Sequence, residues 1–294
     1  MVLLHTYRLV LAACLATSTW LDAVASGPAS SLESLRRLYW NTQYEQVLKV
    51  LGARQSLSAE EYELAGRAYF MLGRFEEATL ALEKAIALSP GSSTAHNWLG
   101  KAWGRRAEKA TFLTAPSLAV KARGFFEKAV ELDPANLEAA SDLLEYYVAA
   151  PGFLGGGLDK AAALAARIKD LDPAEYQRMQ ARLAEKRKDY PAAEHYLREA
   201  ARLAPKQIGR LLDLAQYLAR RSRLVESDQT FHDAARIDPQ SAALKFSRAK
   251  TYLETGRNQE LALRLLREYL NSPLTADDPP KAEAEDLLRR HSGS

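Results

Sequence analysis

The sequence predicts an all-α chain, a solenoid of about six stacked helical hairpins closed by a C-terminal capping helix. Three observations carry this. Apolar residues recur every three or four positions in runs of several turns, as one face of a helix requires. Prolines at 90, 134, 173, 205, 239 and 273 stand 44, 39, 32, 34 and 34 residues apart, close to a single period. Small residues fall where paired helices must approach, with Tyr or Leu beside them to fill the remaining space.

The stretch from Glu60 to Pro90 is the template. Tyr62, Ala65, Gly66, Tyr69 and Phe70 share one side of a first helix, and Gly73-Arg74 ends it. Phe75, Ala78, Leu82, Ala85 and Ile86 share one side of a second, which Ser89-Pro90-Gly91 stops because proline cannot continue a helix. One such hairpin leaves a face unburied and needs neighbours. Its closing residues recur in Lys128-Ala129-Val130-Glu131-Leu132-Asp133-Pro134 and in Ala200-Ala201-Arg202-Leu203-Ala204-Pro205.

At Tyr62, Ala65-Gly66, Tyr69, Ala78, Leu82, Ala85 and Pro90 the chain resembles the tetratricopeptide repeat family, and Trp98-Leu99-Gly100 with Trp103 is a second instance. The resemblance implies a right-handed α-solenoid in which the first helix of each pair lines a concave groove that binds extended peptides. A lengthened arginine-containing hairpin followed by an Ala-Pro-Gly and Gly-Gly loop, over about residues 59–205, also resembles exported bacterial proteins of this family without an assigned role. That second likeness implies an architecture and no ligand.

In chain order, residues 1–25 read as a signal peptide: Arg8 precedes an apolar run to Ala16, and Ala23-Val24-Ala25 forms an A-x-A cleavage site. Leu11-Ala12-Ala13-Cys14 offers the alternative, since it resembles a bacterial lipobox whose cysteine is lipidated. Cys14 is the only cysteine, so neither a disulfide framework nor a cysteine metal site is expected. Export, to a periplasm, is the expected location. Residues 26–58 read as a flexible lead and a degenerate first hairpin, with Leu35, Leu38, Tyr39, Tyr44, Val47, Leu48 and Leu51 in its core. The array then runs over 59–92, 93–136, 137–174, 175–207, 208–241 and 242–275, and 281–291, with Ala282, Ala284, Leu287 and Leu288 set among charges, suits a solvent-facing capping helix.

Two insertions depart from the period. One lies in 104–116, where the absence of helix breakers before Pro116 predicts lengthened helices with Phe112 and Leu113 at the tip. The other, 149–157, carries the glycines 155, 156 and 157. Both fall between the helices of a hairpin and are expected on one edge of the stack.

The candidate sites follow from what packing leaves free. The groove is expected to present Arg67, Phe70 and Met71, then Asn97, Lys101 and Arg105, then Ser141 and Glu145, then Gln216, Arg220, Lys250 and Glu254. Arg67, Asn97, Lys101 and Arg105 form a cationic, amide-bearing patch suited to a carboxylate. It lacks the family's lysine clamp, since Glu63 stands at the matching position. Gly155, Gly156 and Gly157 before Leu158 invite a phosphate-loop reading, but no Gly-Lys-Ser/Thr follows, and a plain loop is the better reading. Between residues 178 and 223 stand twelve basic and five acidic side chains, a sector able to meet an acidic polymer, anionic lipid or acidic partner. The aromatic interleaving of nucleic-acid sites is missing, so no nucleic-acid partner is expected. His5, His96, His195, His232 and His291 show no metal spacing, and no catalytic set emerges. The chain reads as a scaffold for a protein or peptide, without cofactor or enzymatic activity. A membrane- or polymer-associated assembly factor, held through Cys14 or the 178–223 sector, is the alternative.

Overall fold

The computed structural model describes residues 31–275 and 278–291, so the expected leader with Cys14, and Ala276-Asp277 of the linker, lie outside the described residues. Fifteen α-helices and one 3-10 segment make up the described chain. They pair as α1 (Leu32–Trp40) with α2 (Tyr44–Gly52), α3 (Ala59–Met71) with α4 (Phe75–Leu88), and α5 (Ser93–Lys109) with α6 (Ala115–Leu132). The next pairs are α7 (Leu137–Ala149) with α8 (Leu158–Ile168), α9 (Pro173–Lys186) with α10 (Tyr190–Leu203), and α11 (Ile208–Arg220) with α12 (Leu224–Ile237). The last are α13 (Ala242–Glu254) with α14 (Gln259–Leu270), capped by α15 (Lys281–His291).

Local chemistry sets the boundaries. The hairpin-opening helices α3, α5, α7, α9 and α13 are capped by Ser58, Ser92, Asn136, Asp172 and Ser241, each accepting from the backbone N–H three residues on. Ser58 and Glu61 complete a reciprocal capping box. Within five hairpins the turn is closed by one residue at positive φ: Thr42, Gly73, Lys188, Ser222 and Gly256. In each of them the next N–H bonds a carbonyl five residues back, as in Arg74 to Tyr69, Asp189 to Ala184 and Arg223 to Leu218.

Close packing explains the small residues. A Cβ on Gly66 would stand 2.5 Å from Leu82 Cγ, and one on Gly100 would stand 2.7 Å from the Phe126 ring. The largest continuous core runs from α4 through α9, and Tyr217, Phe231, Tyr252 and Tyr269 fill the C-terminal half. Ala284 and Leu287 of α15 close the last cluster.

Pro173 corrects the repeat spacing. It closes no helix, because α8 has already ended at Ile168; it is instead the first residue of α9, behind the Asp172 cap. Proline is tolerated there because the first-turn N–H has no intrahelical partner. The long 39-residue and short 32-residue intervals therefore straddle one misplaced boundary.

The first insertion lengthens α5 and α6 to 17 and 18 residues, with Phe112 and Leu113 exposed in the loop between them. The second folds as a 3-10 segment, Gly152–Leu154, that packs on α6: Arg123 donates to the Leu154 carbonyl at 3.1 Å. The two insertions thus share an edge.

Successive odd-numbered helices touch along the stack, as α1 with α3, α3 with α5, α5 with α7, α7 with α9, α11 with α13 and α13 with α15. The even-numbered helices pack on their own hairpin and the next instead. The odd layer therefore follows the shorter, inner path and lines the concave face. Among the described residues no helix is long and apolar enough to cross a membrane.

Candidate functional site

The concave layer carries a polar ladder that joins neighbouring hairpins. At its N-terminal end the Arg67 guanidinium lies between the rings of Tyr39 and Trp98, 5.0 and 4.9 Å from their centroids. Arg67 is 3.5 Å from Glu63, whose carboxyl burial pushes above its ordinary range even though Arg67 and Ser92 pull it down. Lys101 also sits over the Trp98 ring at 4.3 Å, and Phe70 meets that ring edge-on at 5.4 Å.

Asn97 is 1% exposed and donates its amide to Asp142 at 2.8 Å. Lys101 pairs with Glu138 at 2.5 Å and Asp142 at 3.1 Å. Burial works to lower the Lys101 pKa, but Asp142 and Glu138 outweigh it and hold the ammonium above its ordinary value. Burial also raises Asp142, more than Lys101 and Asn97 lower it.

The ladder continues from α7 to α11. Ser141 donates to Glu175 at 2.7 Å, Arg178 donates to Ser141 and forks onto Glu175, and Arg182 forks onto Glu145 at 2.7 and 2.9 Å. Arg210 reaches Glu175 at 2.8 Å, and Arg220 reaches Glu185 at 2.9 Å. Gln216 then donates to Ser247 at 2.7 Å, and Lys250 pairs with Glu283 at 3.0 Å.

This geometry bears on three expectations. The cationic patch meets carboxylates of its own chain: Glu63 for Arg67, Glu138 and Asp142 for Lys101, and Glu108 for Arg105 at 2.5 Å. Its charge is already matched, so it is not an open carboxylate receptor. The excess of the 178–223 sector is likewise reduced, from seven to four, because Glu145, Glu175 and Glu226, partners of Arg182, Arg178 and Arg198, lie outside the counted window. Finally, the amides of Gly155, Gly156 and Gly157 go to the carbonyls of Gly152, Pro151 and Tyr147. Those three N–H groups are therefore not offered to an anion. A Cβ on Gly156 would stand 1.9 Å from the Ala150 oxygen, so glycine is required there for packing.

What the ladder leaves unmatched is narrower. Asn97 Oδ1, Trp98 Nε1 and Arg67 Nε, and farther along the ladder Arg210 Nε, are buried without a hydrogen-bond partner among the described residues. One acceptor and two donors thus remain within a connected cluster of α3 and α5. Buried polar atoms of this kind ordinarily have partners. Trp98 was readable only as packing; its two cations and its unpaired N–H place it in the site. The signal that would have found the ladder is an offset: Lys101 to Glu138, Ser141 to Arg178 and Glu145 to Arg182 are each 37 residues apart. Among the described residues no cluster suited to hold a metal ion occurs.

Stacked helical hairpins with an inner layer of polar side chains define a class of repeat scaffold. Residues 66–105 match the family model described as TPR repeat. No curated protein matches the chain. A solved tetratricopeptide repeat protein from Parabacteroides merdae is similar at 14% identity, with a TM-score of 0.53, over 88% of this chain and 93% of that one. The C-terminal part of a TPR repeat-containing protein from Cytophaga hutchinsonii is similar at 14% identity and a TM-score of 0.45, over 86% of this chain and 99% of that one. Residues 66–105 thus carry a tetratricopeptide repeat, and the described chain has the stacked-hairpin fold of such repeats, one that generally serves as a protein–protein interaction scaffold.

Proposed function

We propose that the protein is a non-catalytic scaffold that holds an extended peptide segment of a partner along its concave face, seated on Arg67, Asn97 and Trp98. The observation that carries this reading is the set of unpaired buried atoms, Asn97 Oδ1, Trp98 Nε1 and Arg67 Nε. A polypeptide backbone is chemically complementary once the partly exposed Arg67 and Lys101 side chains swing aside to uncover these atoms: its N–H donates to the Asn97 oxygen, and its carbonyls accept from the indole and the guanidinium. Because the ladder's charges are matched internally, recognition rests on main-chain groups and on an apolar side chain against Phe70, rather than on a ligand carboxylate. The tail of the array, Gln216, Arg220 and Lys250, extends the same face. An exported, envelope location belongs to this proposal and rests on the signal-like residues 1–25.

The test is an array of extended peptides tiled from envelope proteins, followed by titration of those that bind. Asn97→Ala and Trp98→Phe should each weaken binding about five- to tenfold, the cost of one hydrogen bond left unmade. The phenyl ring keeps the stacking surface for Arg67 and Lys101, so the fold is retained. Peptides bound equally by both variants, or no peptide bound, would overturn the proposal.

A further inference from the structure

We infer that the projecting edge made by the α5–α6 loop and the Gly152–Leu154 segment docks on an anionic lipid bilayer surface. The α5–α6 hairpin exceeds its neighbours by about three or four residues per helix, roughly 5 Å of additional reach. At its tip Phe112 and Leu113 are 83% and 75% exposed, and beside it Phe153 is 81% exposed. The segment bearing Phe153 is held in place, since its neighbour Leu154 accepts from both Arg123 of α6 and the Tyr146 hydroxyl of α7. Three large apolar side chains thereby face outward from two neighbouring loops.

The charge left unpaired on this edge has one sign. Between Gly104 and Gly124, Arg105 pairs with Glu108, Arg106 with Glu76 of α4 and Arg123 with Glu127, while Lys109 and Lys121 are left over. Lys109 and Lys121 rest on the rings of Phe75 and Trp103, each at 4.5 Å, with no carboxylate within ion-pair distance among the described residues. Their ammonium groups are the uncompensated charge of the hairpin.

Shape decides the occupant. The apolar residues stand on a projection, whereas a protein partner needs a matching pocket. A bilayer accepts a protruding Phe-Leu pair without one, while lysines at the rim meet anionic headgroups. A second copy of the chain would bring the same positive edge and be repelled.

The experiment is flotation of the full chain on phosphatidylcholine vesicles with and without roughly 30% phosphatidylglycerol, an anionic surface of the kind that attracts basic segments. The wild type is compared with Phe112→Ser/Leu113→Ser/Phe153→Ser and with Lys109→Glu/Lys121→Glu. Residues 1–30 are common to all three proteins, so whatever they contribute cancels. All five positions are solvent-facing or rest on a ring edge, and circular dichroism verifies the fold. On anionic vesicles both variants should partition at least about tenfold less than wild type. On neutral vesicles the charge variant should match wild type. Equal partition of wild type and the triple variant overturns the inference, as does a wild-type dimer in sedimentation velocity that the triple variant abolishes. Neither outcome depends on the concave face, so peptide binding stands or falls separately.

Discussion

Arg210 of α11 reaches Glu175 of α9 at 2.8 Å, and the Glu175 side chain is only 6% exposed. The same carboxylate takes the fork of Arg178 and the hydroxyl of Ser141, so one buried acid ties three successive hairpins. Glu175→Gln removes the charge but keeps the shape, leaving two guanidinium groups desolvated and unmatched. The expected loss is about 3 kcal/mol, measured by urea denaturation, because breaking a buried pair leaves a charge without its partner. Since repeats unfold as coupled neighbours, hydrogen exchange should quicken first in α7, α9 and α11.

The same carboxylate gives a pH dependence with a definite sign. Burial alone would raise Glu175, but Arg178, Ser141 and Arg210 together hold it below its ordinary 4.5. Its stabilisation is therefore full above pH 4.5 and is lost as pH falls through the folded value. Asp213 acts oppositely, because burial raises it above 3.8 against Arg178 and Arg210. Protonation of Asp213 favours the fold, a contribution that disappears as pH rises from 3.8 through its folded value. Asp213→Asn should therefore steepen the acid-side loss of stability, and Glu175→Gln should flatten it; denaturation midpoints across acidic pH distinguish the two.

These contacts mark the limit of what the chain discloses before it is folded. The hairpins were legible because Gly66, Leu82, Gly100 and Phe126 belong to a local pattern in which each position constrains its neighbour three or four residues away. The ladder was not, because Lys101 finds Glu138, and Glu145 finds Arg182, across a whole repeat, at 37 residues in both cases. A window count of charge between 178 and 223 omits Glu145, Glu175 and Glu226 and so reports a larger excess than folding leaves. Pro173 misled for a related reason: a proline after one helix and a proline opening the next look alike in sequence. Phe112 and Leu113 were readable at a tip because nothing in the insertion gave them a partner.

Gly100 tests the packing side of the pattern. In a helix interior alanine is ordinarily better than glycine by about 1 kcal/mol. Here the added methyl would stand 2.7 and 2.8 Å from two atoms of the Phe126 ring, which is 7% exposed and held within the α4–α9 core. A flat ring in a filled core cannot yield by rotating one end, so overpacking prevails. Gly100→Ala should destabilise the protein by about 1–2 kcal/mol in chemical denaturation, and Gly100→Ala with Phe126→Leu should recover part of it. Stabilisation by the single change would show that α5 and α6 stand farther apart than these contacts require.

Lys188 and Ser222 occupy the same place in their hairpins that Gly73 occupies in the template, with φ of 61° in both against 73° for the glycine. The hydrogen bonds match as well: Lys188 donates to Glu185 and Ser222 to Ala219, as Gly73 does to Phe70. A side chain is therefore carried in the left-handed region where glycine has no steric penalty. Neither is tied down by another role, since Lys188 and Ser222 are exposed. Lys188→Gly and Ser222→Gly should each relieve the strain at the cost of extra freedom in the unfolded chain, a net gain of about 0.5 kcal/mol or somewhat more. The sites lie in different repeats and share no contact, so the double variant should gain nearly the sum. The opposite change, Gly73→Ala, places a methyl in the same conformation without a native compensation and should cost about 1 kcal/mol.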